Sequence, residues 1–178
     1  MEKTLRFALY IMGFAAVVCM VTCITQTKFS KLRDSTSTSA VHTVKERERQ
    51  LDCLAKNIYF EAGGESFEGK VAVAQVTMNR SESGKFPKDI CGVVYQKNTI
   101  TGKIICQFSW YCENSGHPPI NGKENYNESY EVAKKVLLEN FRLSGLNEAM
   151  YFHSDTIAEP HWDKPKITKI GHHIFYKD

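Results

Sequence analysis

The clearest hydrophobic pattern in the chain begins just after residue 50. Leu51, Leu54 and Ile58 recur at intervals of three and four residues, which predicts a helix with one apolar face. At about 100° per residue, Glu61 lies close to the line of Leu54 and Ile58. The paired glycines Gly63-Gly64 then favour the end of this helix. The pattern therefore predicts an acidic side chain that faces inward from the last turn of a helix.

A second helix is predicted directly after the glycines. Ser66 is suited to cap it, and the run from Phe67 to Asn79 is apolar on almost every side. A helix with so little polar surface belongs in the interior of a domain.

Beyond Arg80 the pattern predicts shorter elements. They are a helix opened by Pro87 (PKDICGVVYQ), a hairpin turn at Asn98–Lys103, a strand at Ile104–Tyr111, a helix at Glu128–Leu143 and strands at Ala149–His153 and Ile167–Tyr176. In the last of these, Ile170, His172, Ile174 and Tyr176 are expected to alternate on one side. Since helices come first and strands later, the fold class is α+β, with a single core in a domain of roughly 130 residues.

The N-terminal region has a different character. The segment from Phe7 to Ile24 holds 18 residues without a charge, which is near the minimum for a membrane-spanning helix. Residues 1–27 are accordingly a signal anchor or a signal peptide, and the lack of a small-x-small cleavage site favours the uncleaved anchor. Residues 28–46, rich in Ser and Thr, predict a flexible tether. Residues 47–178 form the predicted folded domain.

Composition supports an exported protein. The net charge is only +3, and no Lys/Arg block is dense enough to indicate nucleic acid as a partner. Outside the apolar segment there are four cysteines, an even number that suits an oxidising compartment. They allow three pairings; closeness in the chain favours Cys106 with Cys112, which leaves Cys53 with Cys91.

Glu61 is the leading candidate for catalysis. Burial disfavours the charged form of a carboxyl group, so an inward-facing Glu keeps a proton that it can donate near neutral pH. The alternative is a structural role, in which a partly exposed Glu61 pairs with a Lys or caps a neighbouring helix, as is more common for a Glu on a helix. Aromatic, amide and hydroxyl side chains suit a sugar-binding groove, and the candidates for substrate binding are Glu65, Gln107, Ser109, Trp110, His153 and His172. Each of these taken singly is also compatible with a structural role.

Several blocks of the sequence together resemble a known family. CLAKNIYFEAGGESFEGKVAVAQVTMNR, FPKDICGVVYQ, CQFSWYC, AMYFHS and GHHIFY occur in the order found in the cell-wall hydrolases of the spore-cortex-lytic, SleB/CwlJ type. The resemblance covers Leu51 to Tyr176. It implies a lysozyme-like, transglycosylase-related domain that cleaves the glycan strands of peptidoglycan, with Glu61 as the catalytic acid. The catalytic domain is expected to be monomeric and to need no metal or other cofactor. Gly63 departs from the family pattern, in which Arg is common at this position.

Three functions follow as hypotheses. The first is cleavage of the β-1,4 bond between N-acetylmuramic acid and N-acetylglucosamine, either as a lytic transglycosylase or, if Glu65 or Glu68 supplies a second carboxylate, as a hydrolytic muramidase. The second is a zinc amidase with ligands among His153, His161, His172 and His173, although no known zinc spacing is present. The third is a membrane-tethered module that binds the wall without cleaving it.

Overall fold

The computed structural model describes residues 12, 18–20, 26, 41–100, 102–113, 118–158, 160 and 162–178. By its internal contacts the chain divides into two units, Met1–Glu46 and Arg47–Asp178. Most of the apolar segment Phe7–Ile24 lies outside the described residues, as does most of the predicted tether. Within the described part, no helix combines the length and the apolar character needed to cross a bilayer.

The unit Arg47–Asp178 is built around a buried helix. Residues 41–62 are helical, and the part from residue 47 onward is called α1. The next helix, α2, spans Phe67–Glu82, and Ser66 caps it by accepting a hydrogen bond from the Gly69 N–H at 3.3 Å. Every residue from Gly69 to Arg80 is buried. Both the cap and the interior position of this helix were predicted from the sequence and are confirmed.

The remaining elements are short except for one helix. They are α3 (Ile90–Val94), β1 (Lys97–Ile100), β2 (Lys103–Cys106), α4 (Ser109–Cys112), α5 (Lys123–Leu138), β3 (Tyr151–Ser154), β4 (Lys166–Ile170) and β5 (His173–Tyr176). β1 and β2 form an antiparallel hairpin, and the other three strands form an antiparallel sheet in the order β3-β5-β4. The main core lies between α1, α2, α3, α4 and α5. The mixed helix and strand content agrees with the predicted α+β class.

Polar side chains inside α2 hold the irregular segment that leads into β3. Gln75 accepts from the Leu143 N–H at 2.8 Å, and the Asn79 amide donates to the carbonyls of Leu146 and Ala149 at 2.8 and 2.9 Å. Buried backbone groups without secondary structure need such partners. These side chains therefore explain why a helix of the interior carries amides at all.

Several predicted boundaries were wrong. α3 begins at Ile90 and not near Pro87, because Asp89 caps it by accepting from the Gly92 N–H at 2.9 Å. The predicted strand Ile104–Tyr111 stops at Cys106 and gives way to α4. α5 starts before Glu128 and ends at Leu138, and Asn140 follows with a left-handed φ of 55°.

The final prediction of one strand over Ile167–Tyr176 was also wrong, because the chain turns within it. β4 and β5 form a hairpin in which Ile170 lies opposite His173. Gly171 occupies the turn with a positive φ of 57°, a conformation that favours glycine. The expected alternation is therefore broken, and the buried residues of β5 are His173, Phe175 and Tyr176.

Two disulfides brace the domain. Cys53 in α1 is bonded to Cys91 in α3, and Cys106 at the end of β2 is bonded to Cys112 at the end of α4. This is the pairing favoured by closeness in the chain, and it is confirmed.

Candidate active site

The last turn of α1 carries Glu61 at the edge of the core. Ile58 and Leu54, one and two turns before it, are completely buried, and Glu61 itself is partly buried. The helix ends at residue 62, so the chain turns away directly beyond the carboxyl group. The 3.6-residue period thus places Glu61 where the sequence predicted it, on the inward face.

A groove of about 720 Å³ opens beside Glu61. Its walls come from the end of α1, the following turn, α4 and the approach to α5. The described residues that line it are Tyr59, Phe60, Glu61, Gly63, Gly64, Trp110, Glu113, Pro118, Pro119, Asn121 and Asn125. Aromatic rings, amides and a partly buried acid in one concave site are typical of a binding or catalytic site.

Trp110 is fixed in the wall by a stacking contact of its indole ring and by a hydrogen bond from the ring N–H. Its ring stacks on Phe60 with centroids 4.6 Å apart, and its Nε1–H donates to Asn57 Oδ1 at 3.1 Å. Asn57 is in turn held by Thr77, because its Nδ2 donates to Thr77 Oγ1 at 3.1 Å. The chain of contacts runs from α2 through α1 to α4, so the central helix orients an aromatic side of the groove.

Tyr59, which packs edge-on against Phe60, is also held by a hydrogen bond and an aromatic contact. Its hydroxyl accepts a hydrogen bond from the Gly122 N–H at 3.1 Å, and its ring lies edge-on to Tyr126, with centroids 5.9 Å apart. The Tyr126 hydroxyl in turn donates a hydrogen bond to Asp52 Oδ1 at 2.7 Å. The start of α5 is therefore joined to α1 directly beside the groove.

The electrostatic setting of Glu61 suits a proton donor. Burial raises the pKa of its carboxyl from 4.5 to about 7. The positive charge of Arg80 lowers this pKa, and the negative charge of Glu113 raises it. Near neutral pH a substantial fraction of the Glu61 carboxyl groups therefore carries a proton.

Arg80 is unusual in that its charged side chain is buried. The guanidinium carbon lies 5.2 Å from the ring centres of both Phe86 and Phe108. Burial lowers the pKa of the guanidinium to about 10, while the charge of Glu61 acts to raise it. The Nε–H donates to the Met150 carbonyl at 2.8 Å. At neutral pH Arg80 is thus positively charged, and this charge partly offsets the rise that burial causes in the pKa of Glu61.

Glu65 lies outside this groove. Its carboxylate accepts from the His172 backbone N–H at 3.2 Å and is 3.0 Å from His172 Nδ1. Burial acts to raise the pKa of Glu65, but the hydrogen bonds to His172 outweigh it and the pKa is lowered. Gly171 permits the close approach, since a Cβ at that position would collide with the Glu65 carboxylate. Glu65 and His172 are thus brought together by the β4–β5 turn, and Glu65 lines a separate cavity of about 550 Å³.

The remaining substrate-binding candidates from the sequence lie at several places in the domain. His153 is buried, and its ring nitrogens lie 2.9 Å from the Ser154 carbonyl and from the Tyr176 hydroxyl. Gln107 is half-buried and Ser109 is exposed at the start of α4. Of the substrate-binding candidates, Trp110 is the one that shares the described groove lining with Glu61.

The described residues contain no group of three or more His, Cys, Asp or Glu side chains placed to hold a metal ion. His161, one of the ligands considered for a zinc amidase, lies outside the described residues. His173 is buried, and burial lowers its pKa.

Several residues of the site, among them Glu113, Tyr59 and Asn57, were not identified from the sequence. Glu113 and Tyr59 line the groove, and Asn57 orients Trp110. Tyr59 lies two residues before Glu61 and Asn57 four residues before it, so their nearness in the chain was a usable signal. For Glu113 the signal was weaker, because its position depends on the short helix that was predicted as a strand.

Comparisons with known proteins agree with one another. A family model described as Cell Wall Hydrolase matches residues 64–176, a range that begins just after Glu61. A spore cortex-lytic enzyme of Bacillus subtilis is 33% identical over 127 residues, which make up 68% of this chain and 35% of that protein. One of Bacillus cereus is 31% identical over 135 residues, 73% of this chain and 45% of that protein. The chain thus spans less than half the length of these curated relatives.

Two solved structures have a similar fold. The catalytic domain of the germination-specific lytic transglycosylase SleB from Bacillus anthracis gives a TM-score of 0.54 at 27% identity, covering 72% of this chain and 93% of that one. The catalytic domain of Bacillus cereus SleB gives a TM-score of 0.52 at 25% identity, covering 73% and 91%.

Proposed function

The chain belongs to the cell wall hydrolase family, and we propose on this basis that it cleaves the glycan strands of peptidoglycan with Glu61 as its acid. The observation that carries the proposal is the setting of Glu61, a partly buried carboxyl with a pKa of about 7 in the wall of a groove of about 720 Å³. A general acid works best when its pKa is near the working pH. Aromatic rings and amides in the same groove suit the apolar faces and hydroxyl edges of sugar rings.

The proposed bond is the β-1,4 linkage between N-acetylmuramic acid and N-acetylglucosamine. Glu61 donates its proton to the bridging oxygen, and the bond from that oxygen to C1 of the muramic sugar breaks. The Glu61 carboxylate then accepts the proton of the muramic 6-hydroxyl, whose oxygen bonds to C1. The product is a 1,6-anhydro sugar and Glu61 ends in its starting form, so this route needs one acid, whereas most glycosidases use two.

We also propose that the domain works outside the cytoplasm as a monomer and is held by its N-terminal segment. The two disulfides and the location of peptidoglycan support export. The uncharged run Phe7–Ile24 supports a retained anchor. Cell fractionation followed by N-terminal sequencing tests this: full-length protein in the membrane fraction is expected, and a soluble protein shortened at its N-terminus would overturn the anchor.

Mass spectrometry of the fragments released from purified peptidoglycan tests the reaction. The full-length protein is expected to release fragments with 1,6-anhydromuramic ends, and Glu61→Gln is expected to release none above background. The matched control is Glu68→Gln, because Glu68 is an exposed Glu in the first turn of α2 and is not part of the groove lining. Fragments with reducing ends would indicate a hydrolytic muramidase and not a transglycosylase. Free peptides with intact glycan would indicate an amidase.

The pH dependence gives a second test of the same role. Activity is expected to fall as the pH rises through about 7, because Glu61 then loses the proton that it donates. Activity that stayed constant up to pH 9 would rule out Glu61 as an acid with a raised pKa.

A further inference from the structure

A second carboxylate shares the groove with Glu61. Glu113 directly follows α4, is exposed to solvent, and lies in the groove wall together with Glu61 and Trp110. Within the described lining, Glu61 and Glu113 are the two acidic residues. From the sequence, Glu65 and Glu68 were the candidates for a second carboxylate, so Glu113 has no role yet.

The backbone of Glu113 is held in place from two directions. Its N–H donates to the carbonyl of Ser109, the first residue of α4. The residue just before it, Cys112, is covalently bonded to Cys106 at the end of β2. One turn earlier, Trp110 is packed on Phe60 and hydrogen-bonded to α1. The position of Glu113 relative to α1 is therefore built into the fold, even though its side chain reaches solvent.

The acids favoured from the sequence are placed elsewhere. Glu65 is engaged by two hydrogen bonds to His172 and lines the other cavity. Glu68 lies in the first turn of α2, exposed, and is not in the groove lining. If a second carboxylate acts on the substrate, Glu113 is the described residue in position to do so.

We propose that Glu113 contacts the substrate and stabilises the positive charge that develops on the muramic ring when Glu61 protonates the bridging oxygen. This inference rests on the proposed function. When the bond from C1 to the bridging oxygen breaks, the electron pair leaves with the oxygen and a positive charge spreads over C1 and the ring oxygen. A carboxylate in the wall of the groove lowers the energy of that state without forming a bond. The proton transfers remain with Glu61, so the product is still the 1,6-anhydro sugar.

The electrostatics of the free site are consistent with this geometry. The charges that act on Glu61 are Arg80 from α2, which lowers its pKa, and Glu113 from the end of α4, which raises it. A carboxylate that influences Glu61 in this way is near the acid, and both residues line the same groove.

Three variants of the full-length protein test the inference, with soluble glycan strands freed of peptide as substrate. Glu113→Gln is expected to lower kcat by about 10- to 100-fold, less than the loss of a fully buried stabilising group, because Glu113 is exposed to water. KM is expected to change little. Glu113→Asp should restore part of kcat, and the control Glu68→Gln should behave as the wild type. In Glu113→Gln the alkaline limit of activity should also move to lower pH, because Glu61 loses a negative neighbour.

Each outcome separates this inference from the proposed function. Glu113→Gln with wild-type kcat and an unmoved alkaline limit, measured beside an inactive Glu61→Gln, would overturn the role of Glu113 and leave that of Glu61 intact. A loss of kcat that Asp does not restore, together with an unmoved alkaline limit, would also overturn it, since that pattern indicates a structural role. If Glu61→Gln is as active as the wild type, the proposed function itself fails.

Discussion

Replacing Glu61 by Gln is expected to stabilise the protein while it abolishes activity. The folded domain raises the pKa of this carboxyl from 4.5 to about 7, mainly through burial. A raised pKa means that the folded state favours the protonated, neutral form. Stability from this group is therefore full below pH 4.5 and is lost as the pH rises toward 7 and beyond. The difference between the two pKa values corresponds to about 3 kcal/mol at pH 8. Gln has nearly the same shape and never ionises, so it escapes this loss.

Urea unfolding of the full-length protein at pH 4.5 and pH 8 measures the effect. At pH 8, Glu61→Gln is expected to unfold with a free energy about 3 kcal/mol above that of the wild type, and at pH 4.5 the two should be close. Other groups titrate in both proteins, so the comparison between them isolates Glu61. The control Glu68→Gln should lose a few tenths of a kcal/mol at pH 8, because an acid in the first turn of a helix is stabilising. If Glu61→Gln is no more stable than the wild type at pH 8, the argument that burial keeps the proton on Glu61 is refuted.

Two further predictions concern the packing that holds the groove. Trp110→Phe should lower the free energy of unfolding by about 1–3 kcal/mol, because Asn57 Oδ1 loses its buried hydrogen-bond donor; an unchanged urea midpoint would contradict this. Removing the Cys53–Cys91 disulfide with a double Ser variant should lower stability by roughly 2–4 kcal/mol, since the bond closes a loop with a sequence separation of 38. A thermal melting temperature that matched the wild type would show that α1 and α3 hold together without it.

The sequence predicted structure correctly where a helical hydrophobic period was followed or preceded by a residue that ends or caps a helix. The period of α1 located Glu61 on the inward face, and the apolar run of α2 with Ser66 as its cap identified the interior helix. Both predictions concern a single helix, and the spacing of apolar residues along the chain is enough to predict which side of a helix faces inward.

The rest of the site depends on contacts between residues far apart in the chain. The aromatic run around Trp110 predicts a strand, yet Trp110 lies in a helix. Its ring stacks on Phe60 and donates a hydrogen bond to Asn57, a partner 53 positions away in the chain. Glu65 and His172 are 107 positions apart and meet only because a turn separates β4 from β5. Tertiary contacts of this kind override local preference. That is why Glu113, which follows the misassigned segment, was missed.

The glycine turn after Glu61 distinguishes this groove from the common family pattern. A Cβ at Gly63 would lie 2.5 Å from the Tyr59 carbonyl oxygen, too close for any side chain without a shift of the backbone. Gly63, Gly64 and Tyr59 all line the groove, so the backbone itself forms this part of the wall. The family pattern commonly has Arg at this position, so the positive charge of that side chain is missing here. Among the described residues, the charges that act on Glu61 are those of Arg80, which is buried, and Glu113, which is exposed. Of these two, Glu113 is therefore the one that a substrate bound in the groove can contact.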